Sequence, residues 1–256
     1  MGGITMATTN IILQARMSSC RLPEKVLKPI LGQPMLVRQI ERLQRANLVD
    51  EIIIATSDEP TDDAIELLSR DLNLFCFRGN LNNVLDRYYQ ANQEYPSEHI
   101  VRVTGDCPLI EPEIIDSVVQ LHITENNDYT SNCDPNTFPD GLDVEVLTQS
   151  TLQRIHYCAN KRSEREHVTL FIQNNPGLFK QGNLAFSTDY SAYRWTVDEV
   201  EDFEFVTKVY EHLYNKKPHF SFQDILNLIE DHPELKEINH QFQRNAGLEN
   251  SLNLEK

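Results

Sequence analysis

The sequence has little positive charge. It contains 23 lysines and arginines against 39 aspartates and glutamates, which gives a formal net charge of −16. Nucleic-acid backbones and anionic membrane surfaces attract proteins of the opposite sign, so we expect neither as a partner. Apolar runs are also short, and none approaches the length that spans a bilayer. A chain of 256 residues, 40% of them hydrophobic, is long enough for one large domain.

Cysteine and glycine are scarce as well. The five cysteines are odd in number and form no C-x-x-C pair, so we expect neither structural zinc nor a disulfide framework. They are typical of reduced thiols in the cytoplasm. The first ten residues lack a basic stretch followed by an apolar one, so we expect no signal peptide and predict a disordered extension over residues 1–9. The nine glycines form no Walker-type phosphate loop.

Many of the residues that could bind a ligand lie in one stretch at residues 10–36, NIILQARMSSCRLPEKVLKPILGQPML. An apolar run at 11–13 predicts a buried strand. The loop behind it carries cations and hydroxyls, namely Arg16, Ser18, Ser19, Arg21 and Lys25. Guanidinium, ammonium and hydroxyl donors together suit a polyanion such as a nucleoside triphosphate. On spacing alone, a solvated basic turn is an equal alternative.

The first half of the chain alternates between apolar runs and amphipathic segments. Strands are predicted at 11–13, 51–57, 74–77 and 99–104, and helices at 35–46, 61–71, 84–94 and 112–124. This alternation predicts an α/β fold with a parallel sheet, in which ligands bind at the carboxyl ends of the strands. Arg16, Asp58, Arg78 and Asp106 all follow predicted strands, so they could line one crevice.

From residue 126 to 197 the pattern changes to a mixed α+β insertion. Strands are predicted at 129–131, 142–147, 184–187 and 194–197, and helices at 148–157 and 162–175. Helices follow again at 201–215 and 222–231, and the tail at 246–256 is expected to fray. Because the chain has no internal repeat and no low-complexity linker, we predict a single domain over residues 10–245.

Two aspartates stand where a bound nucleotide would need a metal. Asp106 follows a predicted strand in TGDCPLI, and Asp198 follows another in RWTVDEVED. Mg²⁺ takes one or two protein carboxylates together with phosphate oxygens, so both could be ligands. Each could equally cap the turn or helix that follows it. Asp202 is the better candidate for the cap of the later helix.

These segments together resemble the sugar cytidylyltransferases. The motifs are QARMSSCRLPEKVLKPILGQPML, FRGNLNNVLDRYYQA, TGDCPLI, FPDGLDVEV, SEREHVTLFI and RWTVDEVED. The most similar branch is that of spore coat polysaccharide biosynthesis, which is related to the 3-deoxy-manno-octulosonate and acylneuraminate enzymes. The resemblance implies a Rossmann-like nucleotide-diphospho-sugar transferase sheet of the GT-A type, flanked by helices. It also implies a cytoplasmic, homodimeric enzyme that uses Mg²⁺ to transfer CMP from CTP to a sugar acid.

The resemblance implies a role for each matching residue. Arg16, Lys25 and Asp106 would act in catalysis, with Asp106 and Asp198 on the metal. The nucleotide would contact the first loop and two later turns, at Gln14, Ala15, Arg16, Ser18, Ser19, Arg21, Lys25, Arg78, Asp86 and Gly105. For Asp86 and its neighbour Arg87, a surface ion pair at an ordinary helix start stays open.

The acceptor would bind in the insertion, which we also expect to hold a dimer contact. The candidates are Gly141, Asp143, Glu145, Arg165, Glu166 and His167. Asp143 and Glu145 point the same way along a strand, although a solvated face would explain them as well. His167 could take the proton of the acceptor hydroxyl or pack at the dimer contact. The arginine that binds the acceptor carboxylate could be Arg154, Arg165 or Arg194.

Three other functions stay open on the sequence. The acceptor could be a phosphorylated or phosphonate small molecule. The chain could also be a GT-A glycosyltransferase, although those enzymes normally carry an Asp-x-Asp motif and TGDCP has a single aspartate. A nucleotide-binding module without catalysis is the third, and Arg16, Lys25, Asp106 and Asp198 argue against it.

Overall fold

The fold is an alternation of strands and helices, and the computed structural model describes it for residues 7–244 and 246–253. The strands are β1 Thr9–Gln14, β2 Pro29–Ile30, β3 Gln33–Pro34, β4 Glu51–Ser57, β5 Phe75–Gly79, β6 His99–Thr104, β7 Tyr129–Ser131, β8 Glu145–Thr148 and β9 Gln181–Asn183. The α-helices are α1 Met35–Leu43, α2 Asp63–Asp71, α3 Val84–Glu94, α4 Pro112–Glu125, α5 Gln149–Cys158, α6 Arg162–Glu166, α7 Leu170–Asn174, α8 Val200–Leu213, α9 Phe222–Asp231 and α10 Ala246–Asn253. Short 3₁₀ helices lie at Lys25–Leu27, Pro60–Asp62, Pro176–Leu178 and Pro233–Ile238.

Seven of these strands form one sheet, in the order β5-β4-β1-β6-β8-β7-β9. The central strand β1 is parallel to both of its neighbours, β4 and β6. β8 runs antiparallel to its neighbours β6 and β7. In β1, Ile11, Ile12 and Leu13 are all buried, because side chains of helices cover both faces of the sheet. This arrangement confirms the predicted α/β class with a mostly parallel sheet.

The two faces of the sheet carry separate hydrophobic cores. On one face, α1 contributes Leu36, Ile40 and Leu43, which recur at helical spacing and are buried. α2, α4, α8 and α9 also contribute to this core. On the other face lie α3 and α5, and the hydroxyl of Tyr88 in α3 donates to the Ile12 carbonyl of β1 at 3.1 Å. The helices therefore fix the central strands and the turns that follow them.

The second half differs from the prediction at several points. The predicted helix at 162–175 is two short helices, α6 and α7, because Val168 between them is buried with a φ of 27°. The predicted strand at 142–147 begins only at Glu145, and the one at 184–187 is replaced by β9 just before it. Residues 194–197 form only an isolated bridge, between Asp140 and Arg194. The strand does not continue, because the N–H of Val197 donates to the carbonyl of Asp106 instead.

The tail contains a helix where we expect frayed chain. Ser251 in α10 donates to the Glu166 carboxylate at 3.2 Å, and its Oγ lies 3.0 Å from Nε2 of His167. These contacts hold α10 against α6. Residues 1–6 of the expected N-terminal extension and residues 254–256 of the tail lie outside the described residues. Within 7–244 and 246–253, no helix combines the length and the apolar character needed to cross a membrane.

Candidate active site

A cavity of about 230 Å³ lies at the edge of the sheet where the parallel strands end. The ends of β1 and β6 approach closely here, since the Gly105 N–H donates to the Gln14 carbonyl at 2.7 Å. A Cβ at Gly105 would lie only 3.0 Å from that carbonyl oxygen and from Cβ of Ala15, which explains the glycine. This first cavity is lined by Gln14, Ala15, Arg16, Ser19, Cys20, Arg21, Lys25, Val26, Arg87, Thr104, Gly105, Asp106 and Asp198.

The cationic loop after β1 is held by a buried carboxylate. Asp62 is fully buried and accepts a hydrogen bond from the Met17 N–H at 2.7 Å. It also accepts from the Thr56 hydroxyl and the Ser57 N–H, each at 3.0 Å, which ties it to the end of β4. Because its backbone is anchored in this way, the loop can present its cationic side chains to the first cavity.

Lys25 lies where the loop meets the two aspartates. Its ammonium donates to the Val197 carbonyl at 2.7 Å, to Asp198 at 2.9 Å and to Asp106 at 3.3 Å. Burial disfavours the charge of Lys25, but the two carboxylates outweigh burial and raise its pKa above the ordinary value. Burial of Asp106 is outweighed by Lys25, so the pKa of that carboxyl is lowered. The structure thus brings the predicted lysine and both predicted aspartates to one point.

Asp198 also belongs to a group of charges at the start of α8. Its carboxylate contacts Nη2 of Arg21 at 2.9 Å and Nη2 of Arg194 at 3.3 Å. The neighbouring Asp202 is fully buried and accepts from the N–H groups of Asp198 and Glu199, at 2.9 and 3.0 Å. Asp202 is therefore the third-position carboxylate of a capping box at the start of α8, whose N-cap residue is Glu199, and Asp198 lines the first cavity.

The two aspartates fit a hard divalent cation that also binds substrate oxygens. Asp106 and Asp198 both reach the same ammonium, so they could share one cation. In the part of the chain that the structure describes, no group of three or more His, Cys, Asp or Glu side chains forms a metal cage. Mg²⁺ does not need such a cage, because it combines one or two carboxylates with phosphates and water. The donor set therefore suits a metal that enters with a nucleotide.

A second cavity, of about 480 Å³, adjoins the first. The two cavities have Arg16, Arg21, Thr104, Asp106 and Asp198 in common. The other walls of the second cavity come from β6, from the segment before β8, from the turn between α6 and α7, from residues 194–196, and from Arg244 and the start of α10. A reactant in each cavity would meet at the shared residues.

Two aspartates in one wall of the second cavity, Asp140 and Asp143, have raised pKa values. Burial and the neighbouring carboxylate of Asp143 raise the pKa of Asp140 to about 7, against the opposing effect of Arg244 and Arg194. Burial raises the pKa of Asp143 as well, although Arg244 opposes it. Asp140 therefore changes its charge near neutral pH, while it faces two guanidiniums.

Glu145, two residues further on, stays charged. Burial alone would raise its pKa, but Arg102 and two hydroxyl donors outweigh burial, and the pKa is lowered. Those donors are Thr169 and Tyr129, each at 2.6 Å from the carboxylate. This side of the second cavity therefore carries a fixed anion beside a fixed cation.

Most of the predicted nucleotide-binding residues line the first cavity, but Ser18, Arg78 and Asp86 do not. The Arg78 guanidinium contacts two carboxylates of α2, at 2.6 and 2.7 Å. The Asp86 carboxylate lies 2.8 Å from Nε2 of His156. The roles of these three residues stay predictions.

The predicted acceptor residues divide in the same way. The second cavity is lined by Asp143, Glu145, Glu166 and His167, but not by Arg165 or Gly141. Arg165 donates instead to the His156 carbonyl at 3.0 Å. Gly141 has a φ of 105°, and a Cβ there would lie 2.4 Å from the Thr196 nitrogen, so this glycine serves packing.

Three cavity arginines are not predicted as site residues. Arg87 is 2% exposed and donates to two main-chain carbonyls, which excludes its surface ion pair with Asp86. Arg102 carries a sequence signal, because a charge inside a predicted buried strand needs a partner or a ligand. Arg244 carries none, since nothing around it in the sequence indicates a contact with the insertion.

Fold and site together describe an α/β protein with a cavity lined by cations and carboxylates at the carboxyl edge of its sheet. A family model described as cytidylyltransferase matches residues 10–232, and the chain belongs to this family. The spore coat polysaccharide biosynthesis protein SpsF of Bacillus subtilis is 33% identical over 230 residues, 87% of this chain and 94% of that protein. A 3-deoxy-manno-octulosonate cytidylyltransferase of Pelobacter propionicus is 37% identical over 109 residues, 43% of this chain and 42% of that protein.

A solved structure agrees with this assignment. The structure of a cytidylyltransferase from Leptospira borgpetersenii matches with a TM-score of 0.87 and 31% identity, over 93% of this chain and 100% of that one. The predicted family and the predicted enzyme class are confirmed.

Proposed function

We propose that this cytidylyltransferase transfers CMP from CTP to a sugar acid of the 3-deoxy-2-ulosonic or nonulosonic type and releases pyrophosphate. The product would be an activated sugar for surface polysaccharide. The observation that carries the proposal is the convergence of Lys25, Asp106 and Asp198 at the residues between the two cavities. CTP would bind in the first cavity and the sugar acid in the second. The names of the relatives support the sugar acid and the polysaccharide.

In this proposal the chain supplies positioning and charge. Arg16, Arg21 and Lys25 bind the phosphates of CTP. An acceptor oxygen forms a bond to the α-phosphorus, and the bond from that phosphorus to the bridging oxygen breaks, so pyrophosphate leaves with the electron pair. Cations around the leaving group stabilise its developing charge, and the adjoining cavities hold the two reactants in line.

Asp106 and Asp198 would hold Mg²⁺, which when bound neutralises phosphate charge and polarises the reacting phosphate. His167 lines the second cavity, so its imidazole is our candidate for the group that accepts the proton of the acceptor hydroxyl. The homodimer, its contact in the insertion and the cytoplasmic location are further proposals that follow from the resemblance.

Pyrophosphate release tests the proposal directly. The purified protein is given CTP, UTP, ATP or GTP, each with 3-deoxy-manno-octulosonate, N-acetylneuraminate or a sugar phosphate, with Mg²⁺ or with chelator. We expect release from CTP with a sugar acid and Mg²⁺, and little from Asp106→Asn. Release with the sugar phosphate alone, or from another nucleotide, would refute the proposal.

A further inference from the structure

The segment that follows the family match reaches back into the second cavity. The match ends at residue 232, whereas Arg244, Gly247 and Leu248 line the cavity. The segment is anchored on the way, because the Asn239 amide donates to the Arg194 carbonyl and to Asp202, each at 2.9 Å. This wall of the cavity is therefore built from residues that lie beyond the family match.

The arginines of this cavity differ in how many of their N–H donors are already hydrogen-bonded within the protein. A guanidinium has five N–H donors. Arg194 makes five hydrogen bonds within the protein, two to Asp202 and one each to Asp140, Asp198 and the Gln243 carbonyl. All five donors of Arg194 are thus engaged within the protein, so an acceptor anion would have to displace one of these partners.

Arg244 and Arg102 have fewer of their N–H donors hydrogen-bonded. Among the described residues, Arg244 donates to the Phe138 carbonyl at 3.1 Å and to Asp143, while its Nε stays 4.0 Å from Asp140. Arg102 donates to Glu145 alone, and its buried Nε has no partner in the described structure. The Arg244–Asp143 pair and the Arg102–Glu145 pair both line the second cavity, and the two carboxylates lie two residues apart in the sequence.

We propose that Arg244 is a specificity-determining residue, which together with Arg102 binds the carboxylate of the acceptor while Asp143 and Glu145 accept hydrogen bonds from its hydroxyls. This inference rests on the proposed function. Alternating guanidinium and carboxylate groups match a polyhydroxylated monoanion, which needs donors for its carboxylate and acceptors for its hydroxyls. Carboxylates outnumber guanidiniums around the cavity, which disfavours a doubly charged phosphate in the same place.

The experiment compares the wild-type protein of 256 residues with the variants Arg244→Gln and Arg244→Lys and with the control variant Arg70→Gln. Arg70 is exposed on α2 and faces neither cavity. For each protein, kcat and KM are measured with CTP and 3-deoxy-manno-octulosonate or N-acetylneuraminate, whichever the wild type uses, and with the methyl ester of that acid.

Arg244→Gln should raise the KM for the acid about tenfold to a hundredfold, the size of a charge-assisted hydrogen bond, and leave the KM for CTP unchanged. Its preference for the acid over the ester should fall by the same factor, and Arg244→Lys should recover part of both. Arg70→Gln should match the wild type.

An unchanged KM for the acid, or an unchanged preference over the ester, would overturn the inference while the proposed function stands. Equal loss for acid and CTP would indicate a merely structural role and would also overturn it. A wild type that releases pyrophosphate from CTP with the sugar phosphate but with neither acid would refute the proposed function itself, and this inference with it.

Discussion

Replacing Lys25 by methionine removes the ammonium between the two aspartates and keeps most of the side-chain volume. We expect turnover to fall on the order of a hundredfold or more, the usual effect of losing a donor aimed at developing charge. The substitution also leaves Asp106 and Asp198 without their shared cation. Breaking a buried pair costs about 3–5 kcal/mol. Because these aspartates are 26% and 24% exposed, we expect a smaller loss, about 2 kcal/mol.

A double-variant cycle separates the catalytic effect from the loss of stability. Lys25→Met, Asp106→Asn and the combination are compared with the wild type by urea unfolding and by pyrophosphate release. The double variant leaves less uncompensated charge, so it should be more stable than the sum of the single changes, by about 1 kcal/mol. It should nevertheless stay inactive. Lys208→Met, which removes an exposed ion pair on α8, serves as the control and should change neither quantity.

Additive stabilities would show that Lys25 and Asp106 do not interact as their 3.3 Å contact indicates. An active double variant would refute the assignment of both residues to the reaction.

Two other expectations concern buried carboxylate and imidazole groups. His122 is 1% exposed, and burial lowers its pKa from 6.5 to about 4, so the unfolded chain binds more protons between those two values. Stability should therefore decline as pH falls through that window, by about 2–3 kcal/mol between roughly pH 7.5 and 4.5. In urea unfolding, His122→Asn should lose that share of the pH dependence and the exposed His219→Asn should keep it; equal losses would contradict the argument. Asp62→Ala releases the Met17 N–H, so it should raise the KM for CTP about tenfold. An unchanged KM in a folded Asp62→Ala protein would mean that other contacts hold the loop.

A structural feature could be predicted from the sequence when it depends on residues that are close together in the chain. Buried parallel strands read as continuous apolar runs, so β1, β4 and β6 could be predicted. Parallel strands end at one edge, and that rule brings Arg16 and Asp106 to the same cavity, although Asp58 and Arg78, which it also favoured, line neither cavity. Lys25 was predicted from the cationic composition of its loop and from the family resemblance. Arg16 and Asp106 were predictable because the topology fixes where their strands end.

The rest of the site depends on contacts that leave no local pattern. The left-handed backbone of Val168 breaks a helix in a segment whose composition favours one. Asp62 resembles an ordinary first-turn acid, although its carboxylate anchors a loop 45 residues earlier in the chain. The contact between Arg244 and Asp143 spans 101 residues, and its meaning appears only when the donors of each arginine are counted.

The two cations nearest Asp198 differ in how easily they can change partner. Arg21 is 39% exposed, and its ion pairs with Asp198 and Glu199 face solvent, where such pairs contribute about 0–1 kcal/mol. Exchanging those carboxylates for phosphate oxygens therefore costs little. Lys25 is 8% exposed and is held by a carbonyl as well as by two carboxylates. In the proposed reaction, the loop would thus combine a fixed cation, Lys25, at the position of the reacting phosphate with a movable one, Arg21, which would follow the phosphates as CTP binds and pyrophosphate leaves.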